Sequence, residues 1–146
     1  MAGNGRVMER ILQKIGRINE YVNIIETIQH DCHDRFETDP VYRGALLHYL
    51  YLMVDTCIVL AEMVIKKKGL RIPQSYSESF DILGDSKVLE PRFAYSFAKI
   101  AGFRNFLAHD YDKIDACIIC GNVLGNIGDV KTYIMQISES ISVDSL

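Results

Sequence analysis

No apolar run in this chain reaches the roughly 18 residues that a membrane span requires, so a membrane partner is not expected. The first residues, MAGNGRVMERILQKIG, space their apolar side chains instead of massing them, which argues against a secretory signal. A cytoplasmic location is the expectation. A basic surplus is also missing: 16 Lys and Arg against 19 Asp and Glu leave a net charge of −3. A protein that grips nucleic acid through a broad basic face is normally basic, so any polyanion contact here must be local. The best local candidate is Lys66-Lys67-Lys68 with Arg71, although cations also suit the last turn of a helix. Cysteine is scarce. Cys32, Cys57, Cys117 and Cys120 do not form a disulfide framework, Cys57 lies in an apolar run, and Cys117 and Cys120 sit in a helical pattern. His30 and His33 beside Cys32 could be combined with that C-x-x-C into a zinc set, but buried thiols and a polar link explain the same residues. No metal and no cofactor are expected. No segment alternates as a strand, and there are no repeats or low-complexity stretches.

Helices are what is present. The 146 residues suffice for one domain, 1–146, with a single core. The first helix is expected from Arg6 to Ile28, because Val7, Ile11, Ile15, Ile18, Val22 and Ile25 recur at three and four residues. A polar stretch, Gln29 to Asp39, ends it. Asp39-Pro40 then supplies a cap and a proline at the first helical position, and Gly69 closes the second helix near Lys68. This second helix is apolar on more than one side, which predicts more than one neighbour and points to another subunit. Its polar residues His48, Asp55 and Glu62 recur every seven and share a face, looking either into a polar cleft or into water. Ser75 and Glu78 form a capping box for a short helix ending at Gly84. Pro91 starts a fourth helix reaching about Ala108. Asp112 or Asp115 caps a fifth running to about Ile141, with Val123, Ile127, Val130, Ile134, Ile137 and Ile141 as its stripe. Gly121, Gly125 and Gly128 share one of its faces, and each costs about 1 kcal/mol relative to alanine inside a helix, so close approach of another backbone is expected there. The predicted fold is all-α: an antiparallel bundle of four long helices and one short one.

The chemistry concentrates in FRNFLAHDYDKID, Phe103 to Asp115. Arg104, Asn105, His109 and Tyr111 gather a permanent cation, an amide, an imidazole and a phenol. Arg104 falls inside the apolar stripe of Phe93, Phe97, Ile100 and Leu107, where an unpaired charge is costly. Five residues of helix turn about 500°, so Arg104 and His109 point about 140° apart on a straight helix. They converge only if the helix ends near Ala108 and the chain turns, or if two subunits combine their sites. Such a set suits RNA cleavage. The 2′-hydroxyl attacks the adjacent phosphorus, a histidine carries the proton, and a guanidinium binds the charge of the transition state. The competing reading has Arg104 paired with Asp55 or Glu62 inside the bundle and His109 capping a helix.

The wider pattern resembles the HepT-like toxins of the HEPN superfamily. Asp55 in the long second helix, KKGLRIPQSYSESFDILG (Lys67 to Gly84) and GFRNFLAHDYDKID (Gly102 to Asp115) carry the resemblance over nearly the whole chain. It implies a small helical ribonuclease of a type VII toxin–antitoxin pair, with Arg104, Asn105 and His109 as the catalytic set and Asp55 and Asp110 as support. It implies a homodimer whose two motifs line a shared cleft, and tRNA or mRNA as the target, with tRNA favoured. It also implies a nucleotidyltransferase antitoxin of the MNT type that transfers AMP to Tyr111, silencing the nuclease. The alternative is a non-catalytic helical subunit that serves that transferase as scaffold or substrate.

Overall fold

The computed structural model describes residues 2–144, with the side chains of residues 2–4 and 111 outside that description. The fold is all helical, and no strand occurs among the described residues. α1 spans Ala2–Ile28 and buries Ile11, Ile15, Ile18, Val22 and Ile25 along one face. A 3₁₀ turn and the one-turn α2, Cys32–Arg35, bridge to α3, Pro40–Lys67. Both ends of α3 follow from local chemistry. The Asp39 carboxylate accepts from the backbone N–H groups of Val41 and Tyr42, and Pro40 sits in the first turn. At the other end Gly69 takes φ +67°, and Leu70 N–H reaches back to the Ile65 carbonyl at 3.0 Å. That is a Schellman closure, which glycine adopts without a Cβ clash.

α3 is the centre of the molecule. α1, α4 (Tyr76–Asp85) and α6 (Ile100–His109) pack around it, so Leu46, Leu50, Met53, Cys57, Leu60 and Val64 are buried along with Leu47, Val54, Ile58 and Ile65. Its two apolar stripes therefore find their neighbours within one chain, and a second subunit is not needed to cover them. α3 is also long and apolar enough to cross a bilayer, contrary to the reading from uninterrupted runs, because few charges interrupt it. Half of that stretch is buried inside the domain, the pattern of a core helix.

The second half departs from the sequence pattern in three places. The expected fourth helix is split into α5 (Pro91–Phe97) and α6, where Lys99 N–H turns to Ser96 and Ala101 N–H to Ala98 in tighter 3₁₀-type bonds. The expected fifth helix begins as a π-helical turn, Cys117–Val123, with the Asp115 carboxylate accepting from Ile118 N–H, and only Gly128–Asp144 forms the regular α7. A Cβ placed on Gly121, Gly125 or Gly128 meets nothing within 4 Å, so the close approach expected there is not found. Those glycines are exposed and accompany the irregular path into α7.

The third departure is Cys32 and Cys120, which form a disulfide with Cα atoms 5.6 Å apart. They lie 88 residues apart in sequence, and only the packing of the α1–α3 link against the π-helical turn brings them together. Cys57 stays a buried thiol and Cys117 an exposed one. α7 locks onto the core through Tyr133, whose hydroxyl donates to the Cys57 carbonyl at 2.8 Å and whose ring stacks on Phe97 at 4.8 Å. Burial pushes that phenol well above its ordinary range.

Candidate functional site

α6 lies along α3 in the opposite direction. Along the polar face of α3, Asp55 is half-buried against α6, while His48 and Glu62 are exposed and border open hollows beside it. Asp55 meets Arg104 at the middle: Arg104 Nε donates to Asp55 Oδ1 at 3.2 Å. His48 lines a hollow of about 500 Å³ with Tyr51, Leu107 and Ala108 on one side. Glu62 lines a second hollow of about 570 Å³ with Tyr76 and Asn105 on the other.

Arg104 sits among aromatic rings. Its guanidinium carbon is 5.5 Å from the centre of the Tyr51 ring and 5.3 Å from that of Tyr76, within range of cation–π attraction. Its Nη1 lies 3.4 Å from Asn105 Oδ1, a long contact. Partial burial opposes the charge, but the hydrogen bond and charge of Asp55, with the two phenols, outweigh it and hold the guanidinium above its ordinary value. Arg104 therefore stays a cation while its side chain is only 19% exposed. The pairing alternative is realised, with Asp55 and not with Glu62. It leaves anion binding open, because Asp55 occupies one N–H of a five-donor fork.

Two of the other expected residues are not drawn into this cluster. α6 continues through His109, so the helical step of about 140° between it and Arg104 persists. His109 is exposed, and no hydrogen bond or ion pair links it to Arg104 among the described residues. Asp110 is the C-cap of α6, with Lys113 Nζ 3.9 Å from its carboxylate. The backbone of Tyr111 opens a 3₁₀ turn, Tyr111–Lys113, and its side chain lies outside the described residues. The basic stretch is largely engaged: Lys68 and Lys67 reach Asp144 at 2.7 and 3.8 Å, and Arg71 reaches Asp85 at 3.6 Å. No group of three or more His, Cys, Asp or Glu side chains that could hold a metal is found among the described residues, and Cys32 and Cys120 are bonded to each other. Tyr51 and Tyr76 are what sequence reading overlooked. The signal for Tyr51 was its place one helical turn before Asp55 on α3.

The family model for ribonuclease HepT-like proteins matches residues 11–137. This chain belongs to the HepT-like family. It is 25% identical over 124 residues to the mRNA nuclease HepT of Shewanella oneidensis, covering 85% of this chain and 92% of that one. It is 27% identical over 135 residues to the tRNA nuclease HepT of Aphanizomenon flos-aquae, covering 90% and 88%. Its fold superposes on the tri-AMPylated Shewanella oneidensis HEPN toxin solved with its MNT antitoxin, at a TM-score of 0.80 and 25% identity. That match covers 88% of this chain and 96% of the toxin. The HepT-like assignment agrees with the helical fold and places the Arg104–Asp55 groove within the matched span.

Proposed function

We propose that this HepT-like chain is the ribonuclease toxin of a toxin–antitoxin pair, working in the cytoplasm as a homodimer against tRNA or mRNA. The observation that carries the reading is Arg104, kept charged and oriented by Asp55 at the wall of an open groove. A phosphodiester entering that groove meets the remaining N–H groups of the guanidinium. The 2′-hydroxyl attacks the adjacent phosphorus and gives its proton to a histidine. The bond to the 5′-oxygen breaks, and a protonated histidine returns a proton to that oxygen, leaving a 2′,3′-cyclic phosphate and a 5′-hydroxyl. His109 carries the proton work. Arg104 binds the extra negative charge of the transition state, and Asn105 steadies the guanidinium or the phosphate. The groups named supply both proton transfer and charge stabilisation, so the reaction proceeds without metal.

Tyr111, two residues past His109, is the acceptor of AMP from a nucleotidyltransferase partner of the MNT type. AMP groups there add bulk and negative charge that repel RNA. A matched pair of assays tests the reading. Purified protein should release fragments with 5′-hydroxyl ends in EDTA, and His109→Ala should release none while keeping its helical circular dichroism. Equal cleavage by His109→Ala would overturn the catalytic assignment. With the partner and labelled ATP, wild type should take up AMP and Tyr111→Phe should not.

A further inference from the structure

Apart from Asn105, the hollow on the Glu62 side of Arg104 has no part in the chemistry just described. It holds about 570 Å³, ample for one nucleobase, and opens beside the reacting centre: Asn105 lines it, and Asn105 Oδ1 touches the Arg104 guanidinium. Its other useful walls are Glu62 from α3, Tyr76 from the start of α4, and Gly102 from α6. Tyr76 is 40% exposed, and its ring also meets Arg104. Gly102 leaves the rim open, since a Cβ there would meet nothing within 4 Å. Glu62 is exposed to the hollow and makes no hydrogen bond or ion pair among the described residues. Its surroundings strip water from the carboxyl, and with the Asp55 charge they hold it above its ordinary value. A carboxylate in that position favours an incoming N–H donor over water and repels an acceptor or a phosphate.

We propose that this hollow is a nucleobase subsite that seats a guanine next to the scissile phosphate, with Glu62 reading its Watson–Crick edge and Tyr76 supplying a stacking surface. This rests on the ribonuclease reading above. Sequence-selective RNA recognition works on unstacked bases laid on aromatic rings and bonded along that edge. Guanine alone among the four RNA bases presents two adjacent donors there, N1–H and the N2 amine. Those two match the two oxygens of one carboxylate, a charge-assisted bidentate pair. Adenine and cytosine place a ring acceptor beside their single amine, and uracil flanks its N3–H with two carbonyls. Each would set an acceptor against Glu62. The Asn105 amide, which both donates and accepts, suits the O6 side of the same base.

The test is cleavage of a random-sequence RNA pool by the full chain, with sequencing of the new 5′ ends. Wild type should enrich guanine at one position within a nucleotide of the cut. Glu62→Gln keeps the shape of the side chain and should lose that enrichment, with cleavage at guanine sites falling about tenfold. Replacing that guanine by inosine, which lacks the N2 amine, should slow cleavage roughly tenfold, as loss of one good bidentate contact does. Tyr76→Leu should raise KM about tenfold without changing the base preference, because stacking tolerates any base. Cleavage with no guanine bias, or a bias unchanged in Glu62→Gln, overturns the subsite and leaves the nuclease standing. Binding of short RNAs to His109→Ala separates the two ideas from the other side. Guanine-selective, Glu62-dependent binding without any wild-type cleavage would keep the subsite and remove the reaction. No cleavage and no selective binding would remove both.

Discussion

Asp55→Asn is the substitution that distinguishes a positioning carboxylate from a reacting one. It keeps the volume and one acceptor oxygen and removes only the charge facing Arg104. The pair is 3.2 Å apart, at the long end of a hydrogen bond, and the Asp55 side chain is 39% exposed. Solvent and salt therefore screen it, and its contribution to stability is about 1 kcal/mol or less, a Tm change of about 2–4 °C for a chain of this size. If Asp55 acts only by aiming the guanidinium, the same order of energy is lost from the transition state. That is roughly a fivefold fall in kcat/KM. Arg104→Ala removes the charge stabilisation itself and should cost about 10²–10³. The assay is single-turnover cleavage of one RNA in EDTA with four proteins: wild type, each single variant and the double variant. In the double variant Asp55→Asn should add nothing, because its partner is already gone. Asp55→Asn as damaging as Arg104→Ala would refute the positioning role and place Asp55 at the reacting atoms. Faster cleavage would show that Asp55 competes with the phosphate for Arg104.

Three further predictions concern the frame of the site. Gly84→Ala would set a Cβ 2.7 Å from that of Ala94, where α4 crosses α5, and should destabilise the fold by about 1–3 kcal/mol in urea titration. Unchanged stability would mean that α4 slides freely. Reduction of Cys32–Cys120 opens a closure across 88 residues. The chain-entropy relation gives about 4–5 kcal/mol for a loop of that size, so Tm should fall by on the order of 10 °C in dithiothreitol, and a denatured, unreduced sample should show two free thiols per chain and not four. Asp144 is held below its ordinary range by the Lys68 hydrogen bond and charge, and by Lys67. A depressed carboxyl stabilises the fold above its unfolded pKa and loses that effect as pH falls through the folded one. Amide protection at the end of α7, taken relative to the intrinsic exchange rate, should therefore fall below the normal aspartate range, and Asp144→Asn should be poorly protected already at neutral pH.

How much of this could be read from the residues alone depended on the range of the interaction. Local chemistry was legible: Asp39-Pro40 and Gly69 bounded α3, and Ser75 Oγ accepts from Glu78 N–H at 3.1 Å as the capping pattern requires. Glu78 turns back to Gln74 N–H, one residue earlier than a standard box, at 3.4 Å. Periodicity located the buried faces of α1 and α7 because each packs one side. It failed at Ala98-Lys99 and at Cys117–Val123, where apolar spacing continues while the backbone changes its turn. Periodicity records which side is buried and not the number of residues per turn. The disulfide and the Tyr76 ring beside Arg104 were illegible for another reason. They join residues from separate helices, which no spacing within one segment encodes. Asp55 and Glu62 were the two carboxylates inside an apolar helix, where a charge needs a partner, and spacing alone left open which of them Arg104 takes.

The same geometry bears on where the two halves of the catalytic set meet. With α6 helical through His109, Arg104 and His109 are separated by about 140° of turn and about 7.5 Å of rise, too far to act on one phosphate from a rigid helix. Under the dimer proposal, a two-fold axis could bring the Arg104 of one protomer opposite the His109 of its partner. Mixing tests this directly. Arg104→Ala and His109→Ala are each inactive alone, but a mixed dimer keeps one site with both groups intact if the groups act across the interface. Random exchange makes half the dimers mixed, each with one working site of two, so about a quarter of wild-type activity should return. Light scattering fixes the dimer independently. Dimers that exchange subunits yet stay inactive would exclude a site formed by that cross-subunit pair. The last turn of α6 would then have to unwind and bring His109 back toward Arg104 within one chain as RNA binds.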